Sequence, residues 1–89
     1  MSFREPGYPK VRNLGNNIIE IDYGPNGEVT LDAIKSAYEQ HVAMQLPGKQ
    51  GVLVTAEGLV RADRDAQRFA SSDEVRAITQ AVALVTRTF

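Results

Sequence analysis

"GVLVTAEGLVRADRDAQRF", residues 51–69, packs three structural signals into nineteen positions. The run "GVLVT" (51–55) is short, apolar and rich in β-branched residues, the pattern of a strand covered on both faces. "DRDAQRFA" (63–70) reads as a helix with Asp63 as its N-cap, because the carboxylate can accept a free first-turn amide. Between them lies a loop (55–65) at the carboxyl end of a strand, where α/β folds most often receive a ligand. The fold class and the candidate site both follow from this stretch.

Working outward, "YPKVRNL" (8–14) and "NIIEIDY" (17–23) flank Gly15-Asn16 and read as a β-hairpin. In the second arm Ile19, Ile21 and Tyr23 share one face, and Ile18, Glu20 and Asp22 share the other. "GPNG" (24–27) is a second turn, and residues 1–7 form a loose lead-in. "TLDAIKSAYEQHVAMQL" (30–46) is the strongest helix signal. Thr30 is its N-cap, Asp32 sits in the first turn, and Leu31, Ile34, Tyr38, Val42 and Leu46 form an apolar stripe. Pro47-Gly48 stops it. After residues 63–70, Ser71-x-x-Glu74 reads as a capping box opening a further short helix over 72–78. "AVALVTRT" (81–88) is another apolar strand. The expected architecture is a small α/β domain of order β-β-α-β-α-α-β, with a mixed sheet, right-handed crossovers and helices packed against it.

Eighty-nine residues make a single domain, spanning 1–89. A chain this short buries only ~60% of the surface its unfolded form exposes. With no cysteine there is no disulfide or thiolate metal site to staple it, so a homo-oligomer is expected. A hydrophobic fraction of 43% and a charged fraction of 24% place it among globular proteins. The net charge of −1 lacks the basic excess that nucleic acid or an anionic membrane requires, so neither is expected as a partner. No apolar run is long enough to span a bilayer, and "MSFREPGYPK" is no signal peptide, which points to the cytoplasm. A strand as apolar as "AVALV" wants neighbours and cover on both sides, yet the sequence ends soon after it. The expectation is a chain incomplete at its C-terminus, or a fold completed by another subunit.

The phrases "NIIEIDYGPNGEVTLDAIKSAYE" and "GVLVTAEGLVRADRDAQRFASSDEVRAITQAVALVT" resemble the small bacterial STAS-like (SEC14-like) domains, related in fold to the sporulation anti-anti-sigma factors. The resemblance covers residues 17–86 and rests on element order, the strand-loop-helix phrase and Ala70, Ser71 and Glu74 before the last strand. It implies a STAS-like fold continued by a further helix, strand and helix that this chain lacks. In anti-anti-sigma proteins it further implies a phosphorylatable Ser or Thr in the loop after residues 51–55. Here the corresponding positions are Leu59, Val60, Arg61, Ala62 and Asp63, which offer no hydroxyl. Asp63 and Asp65 would also repel a phosphate, offset by Arg61 and Arg64.

His41, the one histidine, lies on the flank of the apolar stripe without Cys or acidic companions. It reads as a partly buried structural residue, not a metal ligand or general base. Glu57, Arg61, Asp63, Arg64 and Arg68 are the candidate partner-binding residues, although spacings of three and four among the charges of 61–68 also describe a solvated helix face. Catalysis by these carboxylates would need burial to separate their pKa values, and the spacing shows no sign of that. No glycine pattern fits a phosphate loop and His41 has no ligand companions, so no cofactor and no metal are expected. Tyr38, Phe69, Val75 and Ile78 read as core. The sequence therefore favours a non-enzymatic protein-interaction or regulatory module working through the 55–65 loop and the helix after it. The alternative is a small-molecule or lipid carrier with an apolar pocket lined by Ile34, Tyr38, Val42 and Val54.

Overall fold

The computed structural model describes residues 7–25, 28–58 and 61–87. Residues 1–6 of the lead-in, the last two residues of the turn at 24–27, Leu59 and Val60 of the candidate loop, and residues 88–89 at the end of the expected last strand lie outside these. Among the described residues, six strands and three helices follow in the order β1 (Lys10–Gly15), β2 (Ile18–Asp22), β3 (Glu28–Val29), α1 (Leu31–Ala43), β4 (Gln50–Glu57), β5 (Arg61–Ala62), α2 (Arg64–Ala70), α3 (Asp73–Arg76) and β6 (Thr79–Arg87). The main sheet has the order β1-β2-β4-β6. β1 is antiparallel to β2, whereas β2, β4 and β6 run parallel. This is the mixed α/β sheet expected from a hairpin followed by helical crossovers. The addition is a two-residue parallel ladder of β3 with β5. Strands that short carry no periodicity, and neither was visible in the sequence.

Several boundaries moved for local reasons. The hairpin turns on Asn16 and Asn17, both with positive φ (52° and 64°), as a two-residue primed turn requires. The turn therefore sits one residue later than expected, and Gly15 instead joins a break in register after Asn13. α1 begins where expected, with the Thr30 hydroxyl accepting from the Ala33 amide (3.2 Å). It stops at Ala43, short of the expected Leu46, because Gln45 turns left-handed (φ 52°). Its buried residues are Ala33, Ala37 and His41, while Val42 is 45% exposed. The capping box also shifts. Ser72, not Ser71, caps α3 by accepting from the Val75 amide, and Ser71 closes α2, its hydroxyl donating to the Gln67 carbonyl (2.8 Å).

Register assigns the faces. Ile19, Val52 and Val82 align across β2, β4 and β6, as do Ile21, Val54 and Leu84. Ile21, Val52, Val54 and Val82 share one groove with residues of α1 and with Ala70, Val75 and Ile78, so all three helices lie over this face. The opposite face carries Ile18, Gly51 and Ala81 in one row and Glu20, Leu53 and Ala83 in the next. No described helix covers it, so β4 is not the doubly covered strand that its apolar run suggested. The core sits under α1, where Tyr23, Val29, Ala33, Ala56 and Ala66 pack together.

Candidate functional site

Three features compete for function: the loop end of the sheet, a groove beside α1, and strand β6. The loop end is built by the carboxyl termini of β2 and β4. Tyr23 donates its amide to the Thr55 carbonyl (2.9 Å), and Glu57 donates to Gly24 (2.9 Å), so the two exits are tied together. Gly24 has φ +61°, and a Cβ there would stand 2.6 Å from the Tyr8 ring, so no other residue fits without displacing that ring. The β3–β5 ladder then straps the two exit loops to each other. Arg61 and Asp63 meet there with Glu28 and Thr30 around a shallow dent of about 200 Å³. The Asp63 carboxylate accepts from the Ala66 amide at 2.7 Å, which commits it to capping α2. Glu57 stands exposed at the end of β4, and Arg64 and Arg68 are exposed on α2. Of the five candidates the structure thus brings two together and leaves three dispersed. Among the described residues no three His, Asp or Glu side chains gather as a metal ion would need.

The groove lies between α1 and the segment from Ala70 to Ile78, over Val52, Val54 and Val82. It holds about 110 Å³ and is lined by Ile34, Tyr38 and Val54 as expected, without Val42. His41 forms part of its wall and is buried, its Nε2 2.8 Å from Gln50 Oε1. The Gln50 amide nitrogen donates to the carbonyls of Pro47 (2.9 Å) and Gly48 (3.2 Å), so its oxygen must face the histidine. His41 Nε2 is therefore the donor. Both side chains are explained by fixing α1 to the turn before β4, the structural role read for the histidine. Gln50, fully buried, was not visible in the sequence, because a glutamine beside a Pro-Gly turn looks like any solvated loop residue. At the other end of the strands, just after β2, burial pushes the Tyr23 phenol up to about 12.

Strand β6 differs from both. Val82, Leu84 and Val85 are 63%, 59% and 46% exposed, on both faces of the sheet. Tyr38, Phe69, Val75 and Ile78, read as core, are only half-buried. On the uncovered face, polar groups collect at the other edge instead. Arg12 donates to Glu20 (2.8 Å) and lies 3.6 Å from Asp22, while Thr55 donates to Glu20 (3.1 Å).

With this geometry in view, comparison with known protein families is decisive on one point. The model of a domain of unknown function, DUF7793, matches residues 13–88, from the first strand through the last. The chain belongs to that family. No curated protein and no solved structure matches. The expected likeness to STAS domains finds no support in the matching family. No described helix of this DUF7793 domain is long and apolar enough to cross a membrane.

Proposed function

We propose that this DUF7793 domain is a non-enzymatic protein-interaction or regulatory module of the cytoplasm. The observation that carries the reading is strand β6, where Val82 and Leu84 stand in solvent on the face that holds the groove and Val85 stands in solvent on the other face. Large aliphatic side chains exposed together along one strand of a small domain mark an interaction site more often than a defect. Glu57, Arg61, Asp63, Arg64 and Arg68 form a separate charged surface at the loop end, available to set orientation and specificity. A STAS-like fold remains part of the proposal. It is supported by the antiparallel hairpin opening a sheet that continues in parallel, and the 59–63 loop still offers no hydroxyl for a phosphorylation switch.

The test is affinity capture with the purified domain as bait, comparing wild type with Leu84→Lys and with Arg61→Glu/Arg64→Glu. A specific partner lost with either variant supports the module. Capture of nothing, or capture indifferent to both variants, rejects it.

A second reading, a carrier, is favoured by the groove itself. Its 110 Å³ is below the ~150 Å³ of an apolar cavity that admits benzene, and far below the ~300–1,000 Å³ of common ligand sites. That size limits a cargo to a small apolar molecule and argues against an enclosed lipid. Native mass spectrometry that finds only the bare chain counts against it.

A further inference from the structure

The two edges of the main sheet are treated differently. β1 is six residues long, carries Lys10 and Arg12, and breaks register between Asn13 and Gly15. Short length, cations and bulges are the devices by which an edge strand discourages pairing. β6 is nine residues long, and its residues 79–86, "TQAVALVT", contain no charge and no proline. β6 has a break in register of its own, but at its very start, where Gln80 is the extra residue between Thr79 and Ala81; from Gly51 with Ala81 to Glu57 with Arg87 its pairing with β4 is unbroken, and among the described residues no strand lies on its other side. One edge is guarded and the other is open.

The open edge is also matched to itself. Outward from Ala83 the strand reads Val82 and Leu84, then Ala81 and Val85, then Gln80 and Thr86. Residues directly opposed in an antiparallel pair share a face of the sheet. A two-fold axis through Ala83, normal to the sheet, therefore sets Val82 beside Leu84 of a second copy on the helix face. It sets Ala81 beside Val85 on the other face, small against large, and the polar pair Gln80 and Thr86 at the ends. Moving the axis to residue 82 opposes Leu84 to Gln80, and moving it to residue 84 opposes Val82 to Thr86. The register about Ala83 keeps apolar with apolar throughout. No charge in 79–86 opposes another, and a net charge of −1 leaves little repulsion between copies.

We infer that a second copy of this chain docks on the free edge of β6, antiparallel, about a two-fold axis through Ala83. The inference rests on the interaction-module reading and names its partner. A nine-residue edge is ~30 Å long and its side-chain band ~10 Å deep, giving roughly 300 Å² per copy against the ~800 Å² of a standard interface. The dimer is accordingly weak and governed by concentration.

Sedimentation velocity of the whole chain over roughly a hundredfold range of concentration tests this. The mass should climb from that of the 9.8 kDa monomer toward twice that value. Ala83→Lys and Ala83→Glu, each facing its own charge across the axis, should stay monomeric. An equal mixture of the two should associate at least ~10-fold more tightly than either alone. A wild-type chain monomeric throughout, a dimer indifferent to both substitutions, or a mixture no tighter than its parts overturns the proposal. If circular dichroism shows either variant unfolded, amide exchange of the wild type decides. The amides of residues 80–86 must slow as concentration rises, and exchange independent of concentration rejects the dimer. A monomeric wild type whose capture of another protein is still abolished by Leu84→Lys would reject the second copy and leave the module reading standing.

Discussion

The half of the sheet beneath α1 and the half ending in β6 draw on the same residue types but reach opposite states. Under α1, Ile19 is fully buried, and Ala33 and Ala37 let the helix lie close to the strands. The buried polar groups of this half, His41 and Gln50 beneath α1 and Asp22 and Thr55 on the opposite face, hydrogen-bond to neighbouring groups. At β6, Val82 and Leu84 on the helix face stand in water, because α2 and α3 are seven and four residues long and cover only the groove, and Val85 stands on the face that no described helix covers. Burial here is decided by the length of the covering helix, not by the hydrophobicity of the strand. The difference also separates tasks: one half holds the fold, and the other is free to be an interface.

The sharpest way to break this contrast is a pair of truncations at registered positions. Ile19 and Val82 lie in one row, both beside Val52. Ile19→Ala should cost ~2–5 kcal/mol in urea unfolding, from lost transfer energy and the cavity left behind. Val82→Ala should stay within ~0.5 kcal/mol, since its side chain is already in solvent. If Ile19→Ala does not fold, Ile19→Val, at ~0.5–1.5 kcal/mol, carries the same comparison. Equal costs would mean that β6 is as buried as β2. A Val82 cost that grows with protein concentration would show a second copy covering it.

Alkaline titration addresses the closed half alone, because its probe is the buried Tyr23 phenol. Unfolded, this group ionises near 10.0; folded, burial raises it to about 12. Between those values the unfolded chain has released a proton that the folded chain keeps, so stability falls as pH rises. The slope is ~1.4 kcal/mol per pH unit, flat below pH 10 and complete by about pH 12, for a loss of ~2–3 kcal/mol. Urea midpoints of wild type and Tyr23→Phe across this range measure it. The phenylalanine variant should lack this component of the slope, and matching slopes would place the phenol in water.

How much of this was legible in the sequence follows the same divide. The hairpin, Thr30 and Asp63 as caps, the four main strands and their mixed order all rest on local signals, and these were readable. The burial of Gln50 was not, because Gln50 and its partner His41 stand on opposite sides of the turn that holds Pro47, a turn whose path only tertiary packing sets. Val42 was misassigned because an apolar stripe marks a face of a helix but not how wide the contact beneath it is. The β3–β5 strap is two residues per strand, too short for any period. At the candidate site, the five residues were grouped by their place on one loop and the helix after it, while their spacing described a solvated face; strand and helix geometry gathers Arg61 and Asp63 and leaves Glu57, Arg64 and Arg68 exposed apart from them.

The smallest effect probes the helices that create the divide. Thr30 caps a thirteen-residue helix from a half-buried position, with a bond of 3.2 Å. Ser72 caps one turn, with a bond of 3.4 Å. Thr30→Ala should therefore cost ~1 kcal/mol, a typical N-cap loss, whereas Ser72→Ala should cost less than ~0.5 kcal/mol. The reasoning is cooperative: a lost cap on α1 loosens a helix that every core residue beneath it depends on, while a frayed α3 exposes side chains that are already half in water. Urea midpoints of the two variants measured side by side decide it. Equal losses would show that α3 is integral to the core, and the β6 side would then owe its exposure to something other than a short, weakly held cover.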